Sequence, residues 1–410
     1  MILLVSFLFL SGLYLSSKRK FRLLLIFIPL YTFILLYFSV TSYFINIDYR
    51  YGINLSLFVV ICAYNFLFFI FSMLIYNRGV LYAFAFSAFF TSLSYYFLSP
   101  PFNPLILLYS MFFMPFIGVS SALYVTFILF LIPVLLFFRF KRGSKFQTIA
   151  LLVVILLLLH YCCRINSAYS PDMRIAVIQT GLYFEIGGNT ESFPLDLVKF
   201  LEENRNVDLV VFSENSLYGN KTEYNRIQTD KLMSVLNENK MFDKHAFIFN
   251  FYGYKDINNI VSVFKFKDIE IINQKEALIP YIEKKSFFSY DNLFNSEYFY
   301  VSPSMKKQII NYNGHKISTF ICFDSLFPSL FSRSDLVIVQ SNYNRLNKGV
   351  GYEQILRNGG VLGWFSNAMN SDLYINVQDT GGSIIIRNND GIDDEIFSHS
   401  LTTPFIIISR

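Results

Sequence analysis

The stretch that decides the fold runs from residue 173 to residue 216 and reads "MRIAVIQTGLYFEIGGNTESFPLDLVKFLEENRNVDLVVFSENS". It opens with a short β-branched run ending in glycine, passes through "PLDLVKFLEEN" with its helically spaced apolar residues, and closes on a second continuous apolar run. Short apolar runs without polar alternation are typical of strands buried on both faces, and a helix between two of them makes a β-α-β unit. The stretch therefore predicts an α/β or α+β sandwich with parallel strands.

Further strand candidates follow along the chain. They are "HAFIFNFYGY", "NIVSVFKFKD", "KISTFICFD", "DLVIVQSN", "DLYINVQDT" and "GSIIIRNND". In open sheets of this kind the chemistry lies at the carboxyl ends of the strands. We therefore look for functional side chains directly after these runs.

The chain before residue 165 has a different composition. Of the 410 residues, 54% are hydrophobic and 15% are charged, against about 25% charged residues in a soluble globular protein. Nearly all of the excess of hydrophobic residues lies in the first part of the chain. It forms apolar runs long enough to cross a bilayer, which takes roughly 20 residues. We expect a multi-span transmembrane domain at 1–165, with about six to seven helices, and a catalytic domain at 173–408. The candidate spans are 1–17, 23–46, 53–76, 80–98, one or two within 104–138, and 147–163.

The basic residues of the first part indicate its orientation. They form short clusters at the ends of apolar runs, "KRKFR" at 18–22, Arg78 and "FRFKRGSK" at 138–145, and such clusters prefer the cytoplasmic side. If the N-terminus is outside and 104–138 crosses once, all three lie inside and the following domain faces the periplasm or cell exterior. Two crossings place that domain in the cytoplasm, and an inside N-terminus with one extra early helix is a third arrangement. Dispersed clusters at a net charge of +5 argue against a nucleic-acid partner.

Three strand ends of the second part each carry one ionisable residue. Glu214 comes two residues after "LVVF", Lys275 opens "KEALIPYIEKK", and Cys322 directly follows "ISTFI". Taken singly, each has an ordinary structural explanation: a helix cap, a solvated charge and a core cysteine. Cys322 is the only cysteine of its domain, so it has no local disulfide partner, and no Cys/His spacing indicates a metal.

Together, the three residue types can carry out acyl transfer. A cysteine is a nucleophile only as its thiolate, so it needs a base or a nearby cation. His160 lies at the end of a candidate span and His315 in the turn "NYNGHK", while no motif surrounds His245 or His399. Nothing in the sequence therefore supports a Cys-His pair. A partly buried carboxylate can act as the base instead, and a lysine beside it can stabilise an oxyanion.

At this point the residues resemble the carbon-nitrogen hydrolase (nitrilase) superfamily, whose fold is an αββα sandwich and whose catalytic set is Glu-Lys-Cys. "MRIAVIQTG" resembles its first strand, and "VDLVVFSENSLYG" resembles the strand that carries the glutamate, here Glu214. A multi-helix membrane region before such a domain is similar to the apolipoprotein N-acyltransferase family. The resemblance spans about 173–408.

Two local patterns of that family match. Its K-x-x-L-x-P-x-x-E segment is matched by "KEALIPYIE", which implies that Lys275 is the catalytic lysine and Glu283 an additional active-site glutamate. Its I-C-Y-E-x-x-F-P segment is matched by "ICFDSLFP". The match implies that Cys322 is the nucleophile, with Phe323 and Asp324 in supporting positions.

The resemblance implies a bacterial inner-membrane enzyme. It would move a fatty acyl chain from a phospholipid, through a cysteine thioester, to the N-terminal amine of a diacylglyceryl-lipoprotein. It would use no metal or organic cofactor and would have the bilayer as a partner. The alternatives are a membrane-anchored amidase or nitrilase-type hydrolase and a catalytically silent membrane scaffold.

The sequence departs from the family in several places. Ser213 replaces the family's proline before the glutamate, "SNYNRLN" replaces N-D-x-W-F, and "NAMN" stands where R-A-x-E is usual. The sequence also ends at "TTPFIIISR", where the family ordinarily continues into a membrane helix. These departures concern the lid and the acceptor-binding surface more than the chemistry.

Overall fold

The structure is a computed structural model, and it describes residues 2–43, 50–75, 172–214, 222–278, 283, 300, 307–326, 334–343, 352–367, 371–387 and 391–409. The chain divides into two compact units. The first unit contains the N-terminal helices and Glu283, and the second contains the described residues from 172 onward other than Glu283.

Three helices make up the described part of the N-terminal region. They are α1 (Ile2–Ser17), α2 (Phe21–Tyr43) and α3 (Arg50–Ile75), and they coincide with the first three candidate spans. Among the residues placed by the structure, no helix combines the length and the apolar character needed to cross a membrane. The candidate spans at 80–98, 104–138 and 147–163 lie outside the described residues.

The second unit contains two β-sheets. Its strands are β1 (Ile175–Ile178), β2 (Leu209–Phe212), β3 (Ala246–Tyr252), β4 (Ile260–Phe266), β5 (Ile269–Gln274), β6 (Ile310–Tyr312), β7 (His315–Ile321), β8 (Leu336–Ser341), β9 (Leu373–Gln378), β10 (Ile384–Arg387) and β11 (Phe405–Ile408). In the described chain, one sheet has the order β11-β1-β2-β3-β4-β5 and the other has the order β10-β9-β8-β7-β6.

The strand directions bring several carboxyl ends to one edge of each sheet. In the first sheet β1, β2 and β3 are mutually parallel. β4 is antiparallel to β3, and β5 is antiparallel to β4, so β5 runs in the same direction as β2. In the second sheet β7, β8 and β9 are parallel. The residues after β2 and β5 therefore lie along one edge, as do those after β7, β8 and β9.

The helices of this unit are α4 (Thr180–Glu185), α5 (Phe193–Glu203), α6 (Thr222–Glu238), α7 (Met241–Lys244), α8 (Tyr352–Asn367) and α9 (Asp394–Ser400). Side chains of α5 and α6 pack on the outer face of the first sheet, and α8 lies against β9 and β10 of the second. The layers are thus helix, sheet, sheet and helix.

Alternating side chains of the buried strands explain why two layers pack on the first sheet. Ala176 and Ile178 of β1 belong to the cluster under the helices, while Ile175 and Val177 belong to the cluster between the sheets. Because both faces are covered, the strands read as continuous apolar runs rather than as an alternating pattern. The α/β sandwich expected for this region is confirmed.

Candidate active site

Glu214 and Lys275 meet in the interior of the second unit. Glu214 lies two residues beyond β2 and Lys275 directly after β5, so the shared direction of the two strands brings them together. The Nζ atom of Lys275 lies 3.4 Å from Oε1 of Glu214. Lys275 is 0% exposed and Glu214 is 3% exposed. Burial of two charges is costly unless they are paired and hydrogen-bonded, and here each charge has the other as a partner.

A tyrosine also donates a hydrogen bond to this carboxylate. The hydroxyl of Tyr252, the last residue of β3, donates a hydrogen bond of 2.9 Å to Oε1 of Glu214. Tyr252 was not identified from the sequence, because its apolar neighbours in "FIFNFYGY" make it look like another core aromatic. A donor to the charged form favours the ionised carboxylate.

We expect Tyr252→Phe to make Glu214 a stronger base. The carboxylate loses a donor, so the acid limb of the pH profile for alkylation of Cys322 by iodoacetamide moves upward by about one pH unit. The matched control is Tyr254→Phe, which removes a hydroxyl that donates to the surface residue Glu270, and it should leave the profile in place. Superimposable profiles for Tyr252→Phe and wild type would contradict the contact.

Cys322 begins a tight turn in a left-handed backbone conformation. It follows β7, has a φ of +50°, and starts the 3-10 helix Cys322–Leu326. That conformation costs a non-glycine residue roughly 1–2 kcal/mol, and residues held there cluster at functional sites. The turn is held from both ends. The Ser325 hydroxyl donates to the Cys322 carbonyl at 2.8 Å, and the Asn367 amide donates to the Ser325 carbonyl at 2.8 Å.

The charges of both Cys322 and Glu214 affect the hydroxyl of Tyr343. Tyr343 lies two residues beyond β8, and burial raises the pKa of its hydroxyl well above its ordinary value. The charges of Cys322, Tyr374 and Glu214 raise this pKa further, which places Cys322 and Glu214 within electrostatic range of one hydroxyl. The phenol therefore stays neutral and keeps its proton, and a side-chain hydrogen bond with Gln378 opposes the rise in its pKa. Tyr343 and Tyr374 were not identified from the sequence.

Asp324 joins the cysteine turn to the segment after Lys275. Its Oδ1 accepts hydrogen bonds from the backbone N–H groups of Glu276, at 3.2 Å, and Ala277, at 2.9 Å. Its Oδ2 pairs with Lys307. Phe323 is buried beside it. Asp324 therefore links the turn that begins at Cys322 to the segment that follows Lys275, while the supporting roles expected for Asp324 and Phe323 in catalysis stay predictions.

Glu283 is buried in a turn. It belongs to the first compact unit, whereas the other predicted site residues belong to the second. Its expected role as an additional active-site glutamate stays a prediction.

Of the described histidines, His245 and His315 lie at the amino ends of strands, and His399 is exposed on a helix. His315 is the first residue of β7, at the opposite end of that strand from Cys322, a separation of roughly 20 Å at about 3.3 Å per residue. His245 precedes β3, and its Nδ1 lies 2.7 Å from the carbonyl oxygen of Val207. His399 lies in α9, and His160 is outside the described residues. Within the described ranges, no group of three His, Cys, Asp or Glu side chains could hold a metal ion.

A second buried carboxyl, Asp379, lies directly after β9. Its Oδ1 accepts from the Ser213 hydroxyl at 2.8 Å and from the Gly181 N–H at 2.9 Å. Burial, opposed by these two hydrogen bonds, raises the pKa of Asp379 to about 7, and the charges of Glu214 and Glu185 add to the rise. Asp379 was not identified from the sequence, where "VQDTGG" reads as a strand followed by a turn.

The raised pKa of Asp379 predicts a pH-dependent stability. Its pKa in the folded state, about 7, lies above its ordinary value of 3.8, so its contribution is complete below about pH 3.8 and is lost as the pH rises through 7. Between pH 5 and pH 7 we expect the local unfolding free energy of wild type to fall by about 2 kcal/mol relative to Asp379→Asn. Hydrogen exchange of β1, β2 and β9 in the full-length chain, compared at each pH, measures the difference. Equal changes in the two proteins would contradict it.

Comparisons with known proteins give similarity at low identity. No family model matches this chain, and no curated protein sequence matches it. The chain is similar to Nit3 of Saccharomyces cerevisiae, a member of branch 10 of the nitrilase superfamily, with 16% identity over 56% of this chain and 87% of that one, and a TM-score of 0.37. It is also similar to a carbon-nitrogen hydrolase from Helicobacter pylori, with 14% identity over 54% and 83% of the two chains and a TM-score of 0.38.

A third similar structure is a glutamine-dependent NAD(+) synthetase from Cytophaga hutchinsonii. The identity is 12%, the TM-score is 0.36, and the match covers 58% of this chain and 42% of that one. The chain therefore spans less than half of the synthetase. Similarity at this level does not specify a reaction, because one fold hosts many chemistries.

Proposed function

We propose that this chain is an acyltransferase that works through a thioester on Cys322. The observation that carries the proposal is the buried ion pair between Glu214 and Lys275. The charges of Glu214 and Cys322 both raise the pKa of the Tyr343 hydroxyl, and Cys322 has a left-handed backbone conformation. Base, cation and nucleophile are the three groups that acyl transfer through cysteine requires.

The first half-reaction forms the acyl-enzyme. Glu214 takes the thiol proton of Cys322, and the sulfur attacks the carbonyl carbon of an ester. Lys275 stabilises the negative charge that develops on the carbonyl oxygen. The C–O bond breaks, the leaving alkoxide takes the proton back from Glu214, and an alcohol departs.

The second half-reaction passes the acyl group to an amine. The amine nitrogen attacks the thioester carbonyl and loses a proton to Glu214. The C–S bond then breaks, and the thiolate takes that proton, so Cys322 returns to its starting state. The two halves make a ping-pong cycle.

We propose a phospholipid as the donor and the N-terminal amine of a diacylglyceryl-lipoprotein as the acceptor. Two features of the sequence support these substrates: the apolar region before residue 165 and the matched segments "KEALIPYIE" and "ICFDSLFP". The site would lie at a bacterial inner membrane because both substrates are lipids. The positions of the basic clusters favour a domain that faces the periplasm or cell exterior.

The test uses a phospholipid with a labelled acyl chain and two synthetic diacylglyceryl lipopeptides, one with a free N-terminal amine and one with that amine acetylated. The full-length protein should move the label to the free amine only. Labelled free fatty acid at equal rates with either peptide would replace the proposal by a hydrolase. Absence of both products, with full cellular function in Cys322→Ala, would replace it by a silent scaffold.

A further inference from the structure

The residue before the proposed base is bound to a buried carboxyl. The backbone N–H of Ser213 donates to the Ile178 carbonyl at 3.0 Å, and its hydroxyl donates to Oδ1 of Asp379 at 2.8 Å. Ser213 and Asp379 are both 0% exposed. The peptide that leads to Glu214 is therefore held by β1 of the first sheet and by the end of β9 in the second.

The backbone at the start of α4 lies close to Asp379. Oδ1 also accepts from the N–H of Gly181 at 2.9 Å, and the backbone carbonyl of Asp379 accepts from Leu182 at 2.8 Å. A Cβ on Gly181 would lie 2.3 Å from Oδ2 of Asp379, so only glycine fits there. Oδ2 itself is buried and has no hydrogen-bond partner among the residues that the structure describes.

We infer that Asp379 is a positioning residue of the base: it holds the peptide carrying Glu214 through the Ser213 hydroxyl, and it places a second buried carboxyl beside that base. The inference rests on the proposed function, since it assigns Asp379 a part in the reaction of Cys322. It also gives Ser213, where the resembling family has proline, a specific task, because proline has no hydroxyl to donate.

The electrostatic consequence has a definite sign. The charges of two carboxylates raise the pKa of Asp379: Glu214 after β2 and Glu185 at the end of α4. A like charge beside a carboxylate makes it hold its proton more tightly. Ionised Asp379 therefore makes Glu214 the better proton acceptor, and it moves the reactivity of Cys322 to higher pH.

The experiment measures alkylation of Cys322 by iodoacetamide as a function of pH in the full-length protein, with the modified peptide followed by mass spectrometry. Asp379→Asn keeps an oxygen for Ser213 and Gly181 but removes the charge. We expect the midpoint of the profile to move at least half a pH unit lower, opposite to the shift expected for Tyr252→Phe. Ser213→Ala keeps the carboxyl but removes a hydrogen bond that favours its ionised form, so it should produce a smaller shift in the same direction.

The matched control is Asp208→Asn, which removes a carboxylate that accepts the N–H of Arg174 before β2, at the far end of that strand. Its profile should match that of wild type. Profiles of Asp379→Asn and Ser213→Ala that both coincide with wild type would overturn the inference and leave the proposed function standing. A wild-type Cys322 that reacts no faster than the thiol of an unfolded peptide at any pH would instead overturn the proposed function. If Asp379→Asn does not fold, the result for Ser213→Ala decides.

Discussion

Replacing Cys322 with serine is expected to lower acyl transfer by about 10³-fold or more, while the chain remains folded. A hydroxyl holds its proton far more tightly than a thiol, so a carboxylate base cannot ionise it to a useful extent. The change replaces one sulfur atom by the smaller oxygen and alters no other atom, and the left-handed conformation of residue 322 is as strained with serine as with cysteine. The measurement is the rate of label transfer from phospholipid to the free-amine lipopeptide.

The matched control for this substitution is Cys62→Ser. Cys62 is another free cysteine of the described chain, but it lies in α3, in the first compact unit. Its replacement should leave the transfer rate within about twofold of wild type, because no step of the proposed cycle uses the Cys62 thiol. Wild-type transfer by Cys322→Ser would show that another residue carries the acyl group.

Replacing Lys275 with methionine is expected to reduce both activity and stability. The variant removes the cation proposed to stabilise the oxyanion, a loss of about 10²–10³ in rate. It also leaves the carboxylate of Glu214 buried without its ion-pair partner, which costs about 3–5 kcal/mol when nothing compensates. The Tyr252 hydroxyl still donates to that carboxylate, so we expect the lower end of this range, measured by hydrogen exchange of β2 and β5.

Two further variants show whether the loss arises from the buried charge. Lys255→Met removes a lysine whose ion pair with Glu270 is shorter, at 2.6 Å, but exposed, and it should cost less than about 1 kcal/mol. The double variant Glu214→Gln with Lys275→Met removes both charges. It should recover at least half of the lost stability and none of the activity. A double variant as unstable as Lys275→Met would show that packing, not charge, explains the effect.

The sequence was sufficient to predict the α/β sandwich and the three strand ends. The strands around Glu214 and Cys322 are buried on both faces, so they appear as continuous apolar runs that a single sequence reveals. The sequence also predicted functional side chains at the carboxyl ends of the strands, and the ion pair between Glu214 and Lys275 lies at two such ends. The direction of β5, set by two antiparallel pairings after β3, brings the end of β5 to the same edge as the end of β2.

The residues that surround the predicted site residues could not be identified from the sequence. Tyr252, Tyr343 and Asp379 lie at the ends of three different strands. Tyr252 meets Glu214 only when β2 and β3 pair, and Asp379 meets Ser213 only when the two sheets pack together. The Ser213 hydroxyl finds Asp379 across 166 residues of chain, a separation at which no local pattern operates. Ser213 appeared only as a departure from a family pattern, while the structure gives it a hydrogen-bonding partner.

The most direct test of the central claim is the mass of the Cys322 peptide after the full-length protein has been incubated with labelled phospholipid and no amine acceptor. The account predicts that the peptide gains the mass of one acyl chain as a thioester, that the adduct is lost on addition of the free-amine lipopeptide, and that Cys322→Ser gains nothing. An unmodified Cys322 peptide from folded protein that still transfers acyl chains would contradict it.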